Sequence, residues 1–189
     1  MSATEPQFLV GKLLVAPAAM LDANFVNAVT LVLVHNDDGA FGLVLDRRVD
    51  AEVGLDGDWA PLFDGSLWEG GPCEQERLVP LVRPALGCSP ANYQEFTTAL
   101  GGLGVVDVRA SADASNYAAL RLFIGYAGWA PGQLEAEIAM GAWIVTDAEF
   151  HDPFASDVDT MRGRVLRRVH ARKASWHGAS TFPDDISAN

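Results

Sequence analysis

The sequence predicts an α+β protein folded as a single domain. Three observations carry this expectation. The chain has 189 residues, within the usual span of one domain and long enough to bury about two-thirds of its unfolded surface around one core. Segments of strand and helix character follow one another irregularly, without the strict βα alternation of a doubly wound sheet. No internal repeat or linker divides the chain, so one domain is expected over 1–189, with the polar residues 1–7 loose.

Phe8 to Ala16 reads as a first strand, ended by Pro17. Asp22 can cap a short helical turn through Phe25 and Asn27. Val29 to His35 is a nearly continuous apolar run, the pattern of a strand buried on both faces. Asn36-Asp37-Asp38-Gly39 is a turn signal, and Ala40 to Leu45 the returning strand of a hairpin. Residues 46–65 are acidic and glycine-rich, with a short helix expected near Trp59 to Phe63. Leu67 to Glu69 is a short strand before Gly70-Gly71-Pro72, which demands a turn or a close backbone approach.

Arg77 to Arg83 has β character, and Pro80 places it at an edge or a bulge. Val105 to Val108 is a further strand, and Ser111 to Ala119 reads as a helix. Arg121 to Gly125 is a core strand leading into Gly125-Tyr126-Ala127-Gly128-Trp129-Ala130-Pro131-Gly132, from which a short helix emerges. Pro131 suits its first position, Gln133 can fold back on its start, and Gly141 ends it. Ala142 to Val145 is a strand, and a helical region runs from Asp152-Pro153 to about Arg172.

Composition excludes several classes of function. Apolar residues make up 49% and charged residues 20%, and the net charge is −12. Such an acidic surface repels a phosphate backbone, which counts against direct nucleic-acid binding. No run approaches the roughly 18 apolar residues of a membrane span, and Leu13 to Leu21, interrupted by Pro17, is not an export signal. A cytoplasmic protein is the default. Cys73 and Cys88 form neither a disulfide framework nor a C-x-x-C motif. Semi-exposed thiols in a reducing compartment are the plain reading, and a redox-sensing pair the alternative.

No nucleophile elbow, zinc-binding H-E-x-x-H or dinucleotide fingerprint is present, so neither a catalytic residue nor a metal or cofactor is assigned. The glycine loop ahead of a helix could hold an anion, yet it lacks Lys and Arg, and Glu135 and Glu137 would repel one. Two readings of the stretch stay open: a packed strand-to-helix corner, or a ligand or partner groove lined by Tyr126 and Trp129. The groove candidates are Tyr126, Gly128, Trp129, Gln133, His35, Gly70 and Gly71. His35 itself reads more readily as a satisfied structural histidine than as a base. The late helix concentrates cations; Arg164, Arg167, Arg168 and Arg172 form a candidate basic interaction face, with Met161, Val165 and Val169 as its buried stripe.

Several of these segments together resemble the bacterial YqgE/AlgH family. Gly11 to Ala16 with Leu21 to Phe25, His35 with Gly39 to Leu45, Gly70-Gly71-Pro72, and Gly125 to Trp129 with Gly132 to Glu135 and Glu137 stand in the family's order. Phe182-Pro183-Asp184-Asp185 and Asn189 resemble its closing segment. Ala23, Asn27, Asp46, Arg48 and Cys73 depart from its pattern, so no family contact is carried over to Asn27, Asp46 or Arg48. The resemblance implies an α+β fold with a mixed, partly barrel-like sheet flanked by helices. It brings the label of transcriptional regulator but no established reaction. The expected function is therefore a non-enzymatic binder of a small molecule or a protein partner, with which an indirect regulatory role is compatible. A DNA-binding regulator is the first alternative, and a hydrolase or Cys73-based redox enzyme the second. Ligand, partner and oligomeric state are unknown at this level.

Overall fold

The computed structural model describes residues 8–55, 57–109 and 113–179. Among these, ten strands form one curled sheet: β1 (Lys12–Val15), β2 (Val29–Asn36), β3 (Gly39–Val44), β4 (Arg48–Glu52), β5 (Ser66–Glu69), β6 (Cys73–Pro84), β7 (Tyr93–Thr97), β8 (Leu103–Val106), β9 (Tyr117–Trp129) and β10 (Ile144–Asp147). The helices are α1 (Gln133–Ala139) and α2 (Val158–Ala179). The strand order is β10-β1-β2-β3-β9-β6-β8-β7, antiparallel at every step. The sheet curls so far that β7 returns against β2, giving a half-barrel. The α+β class holds.

The axis of this sheet is β9. On one edge it pairs with β5 through Leu122 to Ile124, in parallel, and with β3 through Ala127 to Trp129. On the other edge it pairs with β6 from Tyr117 to Tyr126. Consecutive strands β5 and β6 thus lie on opposite edges of β9, and the link between them must cross it. That link is Gly70-Gly71-Pro72. Gly70 donates its N–H to the Ile124 carbonyl at 2.9 Å and accepts from the Val44 N–H at 2.9 Å. A β-carbon on Gly70 would overlap the Gly125 carbonyl oxygen, and one on Gly71 would overlap the Tyr126 main chain. One on Gly125 would sit 2.5 Å from the Gly71 carbonyl oxygen. Gly71 and Gly125 also hold φ of +146° and +69°, which a side chain disfavours. The close approach anticipated at Gly70-Gly71 is therefore a contact between two main chains.

The core has a side for each helix. Leu31 and Leu33 of β2 pack with Met161 and Val165 of α2, while Val32 packs with Leu134 of α1 and with Trp129. Burial on both faces is what the unbroken apolar run of β2 requires. The β2–β3 hairpin closes at Asn36–Gly39, where the Asn36 side chain accepts the Asp38 N–H at 2.9 Å.

Several expectations need correction. The helix expected over Ser111–Ala119 is a 3-10 turn, Ala114–Asn116, capped by Asp113, followed directly by β9; residues 110–112 lie outside the described residues. Burial of Tyr117, Leu120 and Leu122 against Trp59 and Val82 outweighs local helix propensity. The first strand is shorter than Phe8–Ala16, because Gly11, at φ +79°, turns the chain before β1. The late helical region is broken: a 3-10 turn at Asp152–Phe154 precedes α2. β4 was missed in an acidic, glycine-rich stretch, and β10 runs over Ile144–Asp147 rather than from Ala142. Pro80 sits inside the sheet, but β6 pairs with β8 only through Leu81 and Val82, so Pro80 occupies a locally free edge. The expectations for residues 1–7 and for the closing segment Phe182–Asn189 lie outside the described residues.

Gly71→Ala is expected to abolish the cooperative fold, a loss of more than about 4 kcal/mol. Gly54, with nothing within 4 Å of its virtual β-carbon, should accept alanine with little change in melting temperature. Circular dichroism melts of the two variants check this.

Candidate functional site

The glycine–aromatic stretch is strand through Trp129, and the strand-to-helix corner follows the two aromatics rather than containing them. The turn comes at Ala130–Gly132, and the helix N-cap is Gly132 at φ +75°, so Pro131 lies before the cap and not in the first turn. Alternation along a strand sends neighbouring side chains to opposite faces. Tyr126 and Gly128 belong to one face, Ala127 and Trp129 to the other. The two aromatics do not converge on one groove.

On the Trp129 face, two indoles and three polar side chains of α1 are joined by hydrogen bonds. Trp129 is buried, 6% exposed, and stacks on Phe25 at 6.2 Å. Its Nε1–H donates to Glu137 Oε2 at 2.9 Å, Trp143 Nε1–H donates to the same oxygen at 2.8 Å, and Gln133 Nε2 donates to Glu137 Oε1 at 2.8 Å. Gln133 does fold back, accepting the Ala130 N–H at 3.0 Å. At the other end of α1, Gly141 at φ +77° donates to the Ile138 carbonyl and Ala142 to that of Glu137, a Schellman close. His35 is buried; the Leu9 N–H donates to its Nδ1 at 3.1 Å, so the ring proton sits on Nε2 and donates to Glu135 Oε1 at 3.0 Å. This is the satisfied structural histidine. Of the groove candidates, His35, Trp129 and Gln133 are joined to α1, while Gly70 and Gly71 form the crossing.

The Tyr126 face is different. Cys73 pairs with Tyr126 and Leu78 with Ile124, so residues 74–77 bulge opposite the single Gly125. Glu74, at φ +43°, is strained there. Tyr126 donates its hydroxyl to Glu74 Oε1 at 2.9 Å, and Arg77 reaches Glu74 Oε2 at 3.2 Å. The Tyr126 hydrogen bond, with Arg77 adding to it, lowers the Glu74 pKa, and the same bond raises that of Tyr126. Phe41 packs on Tyr126 with centroids 4.9 Å apart and on Phe96 at 6.3 Å.

Beside these rings a cavity of about 870 Å³ opens in the mouth of the half-barrel. Its apolar lining includes Val34, Phe41, Val79, Phe96 and Val105. Arg77, Arg109, Glu76, Asp107, Asn92 and Gln94 supply the polar lining. Sequence reasoning missed this groove, because five strands each contribute a short piece of it. The one usable signal was Pro80, which marked β6 as partly unpaired.

The basic face is largely engaged within the chain. Asp152, fully buried, accepts Arg164 at 3.0 Å and Arg168 at 2.6 Å. Arg168 also pairs with Glu149 at 2.9 Å, and Arg172 with Asp147 at 2.5 Å. Arg167 is exposed and makes no hydrogen bond or ion pair among the described residues. Met161, Val165 and Val169 are buried as the stripe requires. Cys73 and Cys88 are both free and partly exposed. Among the described residues no cluster of His, Cys, Asp and Glu could hold a metal ion, and no helix is long and apolar enough to cross a membrane.

These features sit in a known fold. The AlgH-like family model matches residues 13–174. A UPF0301 protein of Streptomyces coelicolor is 37% identical, with 98% of each chain covered, and one of Thermobifida fusca is 35% identical over 96% of each. The crystal structure of a Corynebacterium diphtheriae protein superposes with a TM-score of 0.74 at 32% identity, covering 89% of this chain and 90% of that one. The solution structure of AlgH from Pseudomonas aeruginosa gives 0.58 at 29% identity, covering 79% and 82%. The chain belongs to the AlgH-like family.

Two stability predictions follow from the site. Trp129→Ala removes a buried ring and one of the donors to Glu137, and should cost about 3–5 kcal/mol in urea unfolding, as core deletions do. Burial raises the Asp46 pKa from 3.8 to about 6, although the Val29 N–H, donating to its carboxylate, opposes the shift. Between these values the folded chain holds a proton that the unfolded chain has released, so stability falls as pH rises through the window. Asp46→Asn removes that loss. It should exceed the native chain by roughly 2 kcal/mol at pH 7.5 and match it near pH 4, measured by urea unfolding at both pH values.

Proposed function

We propose that this protein is a binding protein without chemistry of its own, which takes a small molecule or a partner segment in the mouth of its half-barrel. One observation carries the reading: a cavity of about 870 Å³ with an apolar floor and a polar rim, the size and character of known ligand sites. The proposed setting is the cytoplasm, supported by two free cysteines, which suit a reducing compartment. An indirect regulatory role is compatible with such binding. Direct DNA binding gains little support, since the arginines of α2 are mostly paired with carboxylates of the same chain.

Val105, partly buried in the groove floor, is the place to block it. Anilinonaphthalene sulfonate should brighten with the native chain and lose at least about fivefold of that signal with Val105→Trp, while circular dichroism stays unchanged. Equal fluorescence from both proteins would sink the assignment.

A further inference from the structure

The groove touches its strands in an unusual way. Residues 76–80 of β6 line it consecutively, and so do residues 105–109 of β8 and the turn beyond it. A cavity lying on one face of a sheet meets alternate residues, because side chains alternate. Leu78, Val79 and Pro80, consecutive beyond the bulge of β6, mean that the cavity meets β6 along its edge, and it reaches the end of β8 at Val105 and Val106. The register agrees. β6 pairs with β8 only at Leu81–Val105 and Val82–Gly104, after which β8 turns away and β6 runs on toward Cys73. The sheet is forked, and the groove is the fork.

Resting on the groove reading above, we infer that its occupant is an extended polypeptide segment of a partner protein, added as a strand against the free edge of β6 at Glu76–Pro80. A strand edge carries main-chain donors and acceptors at polypeptide spacing, and this mode of recognition uses them for affinity and alternate side-chain pockets for selectivity. Phe41, Phe96 and Val105 form the pocket floor for alternate apolar side chains. Asn92, in the turn before β7, and Gln94 on β7 are exposed and bring amides that match a peptide group in donors and acceptors. The rim carries both signs of charge, Glu76 and Arg77 on one wall and Asp107 and Arg109 on the other. Such a rim complements a segment bearing both acidic and basic residues, and suits a simple lipid or a lone anion less well. Pro80 has no N–H to give to either edge of β6.

The test is selection from a displayed library of random nine-residue peptides on the full chain, with counter-selection on Val105→Trp. Winners should alternate apolar and polar residues. In a synthetic winner, N-methylation of backbone amides at positions of one parity should weaken binding by at least about tenfold, and at the other parity hardly at all. That readout does not depend on how the tryptophan variant folds. Absence of any peptide that prefers the native chain, or equal effects of N-methylation at both parities, overturns the inference. Anilinonaphthalene sulfonate bound in the groove without any peptide overturns the strand alone and leaves the binding function standing. Failure of both probes removes both.

Discussion

Two main chains touch where Gly70-Gly71 passes over Gly125-Tyr126, and no side chain fits between them. Everything around β9 depends on that contact. It lets β5 and β6, adjacent in sequence, occupy opposite edges of one strand. It puts the Gly70 peptide between Val44 and Ile124, filling the space where β3 and β5 abut along the same edge. It also explains why β9 kinks at Gly125, and why four residues of β6 bulge opposite it. The strained Glu74, its bond to Tyr126 and the position of Arg77 at the groove all follow from the crossing.

The arrangement separates two jobs that a linear reading merges. One face of β9 is closed: Trp129, Trp143 and Gln133 share Glu137, and His35 is held by Leu9 and Glu135. Polar groups linked in this way tie β9 and β2 to α1 and rigidify that face. The other face opens into the barrel mouth. At the far side of the core, α2 is locked by two arginines on the fully buried Asp152, a pairing in which loss of either side leaves an uncompensated charge.

Local rules made much of the fold legible. The apolar run of β2, the Asn36–Gly39 turn, the Gly141 stop and the Met161–Val165–Val169 stripe are set by neighbours in sequence, and each is found in place. The failures share a cause. Tyr117 to Ala119 looked helical alone, but its fate is set by β6, more than thirty residues earlier. Arg164 and Arg168 looked like part of a basic interaction face, because Asp152 becomes their partner only through the turn before α2. Tyr126 and Trp129 looked like one site because they are close in sequence, whereas the strand sends them apart. The groove was invisible for a related reason: no two of its walls are contiguous in the chain.

The pairing of β1 with β10 joins Lys12 to Asp147, so this edge of β1 is covered only after residue 147 has been made. During synthesis, at about 5–20 residues per second, the outer edge of β1 emerges early and waits several seconds for its partner. Apart from Lys12 its residues, Leu13-Leu14-Val15, are apolar, and an unpaired strand edge is a template for other chains. A truncated product lacking β10 would keep this edge of β1 uncovered permanently.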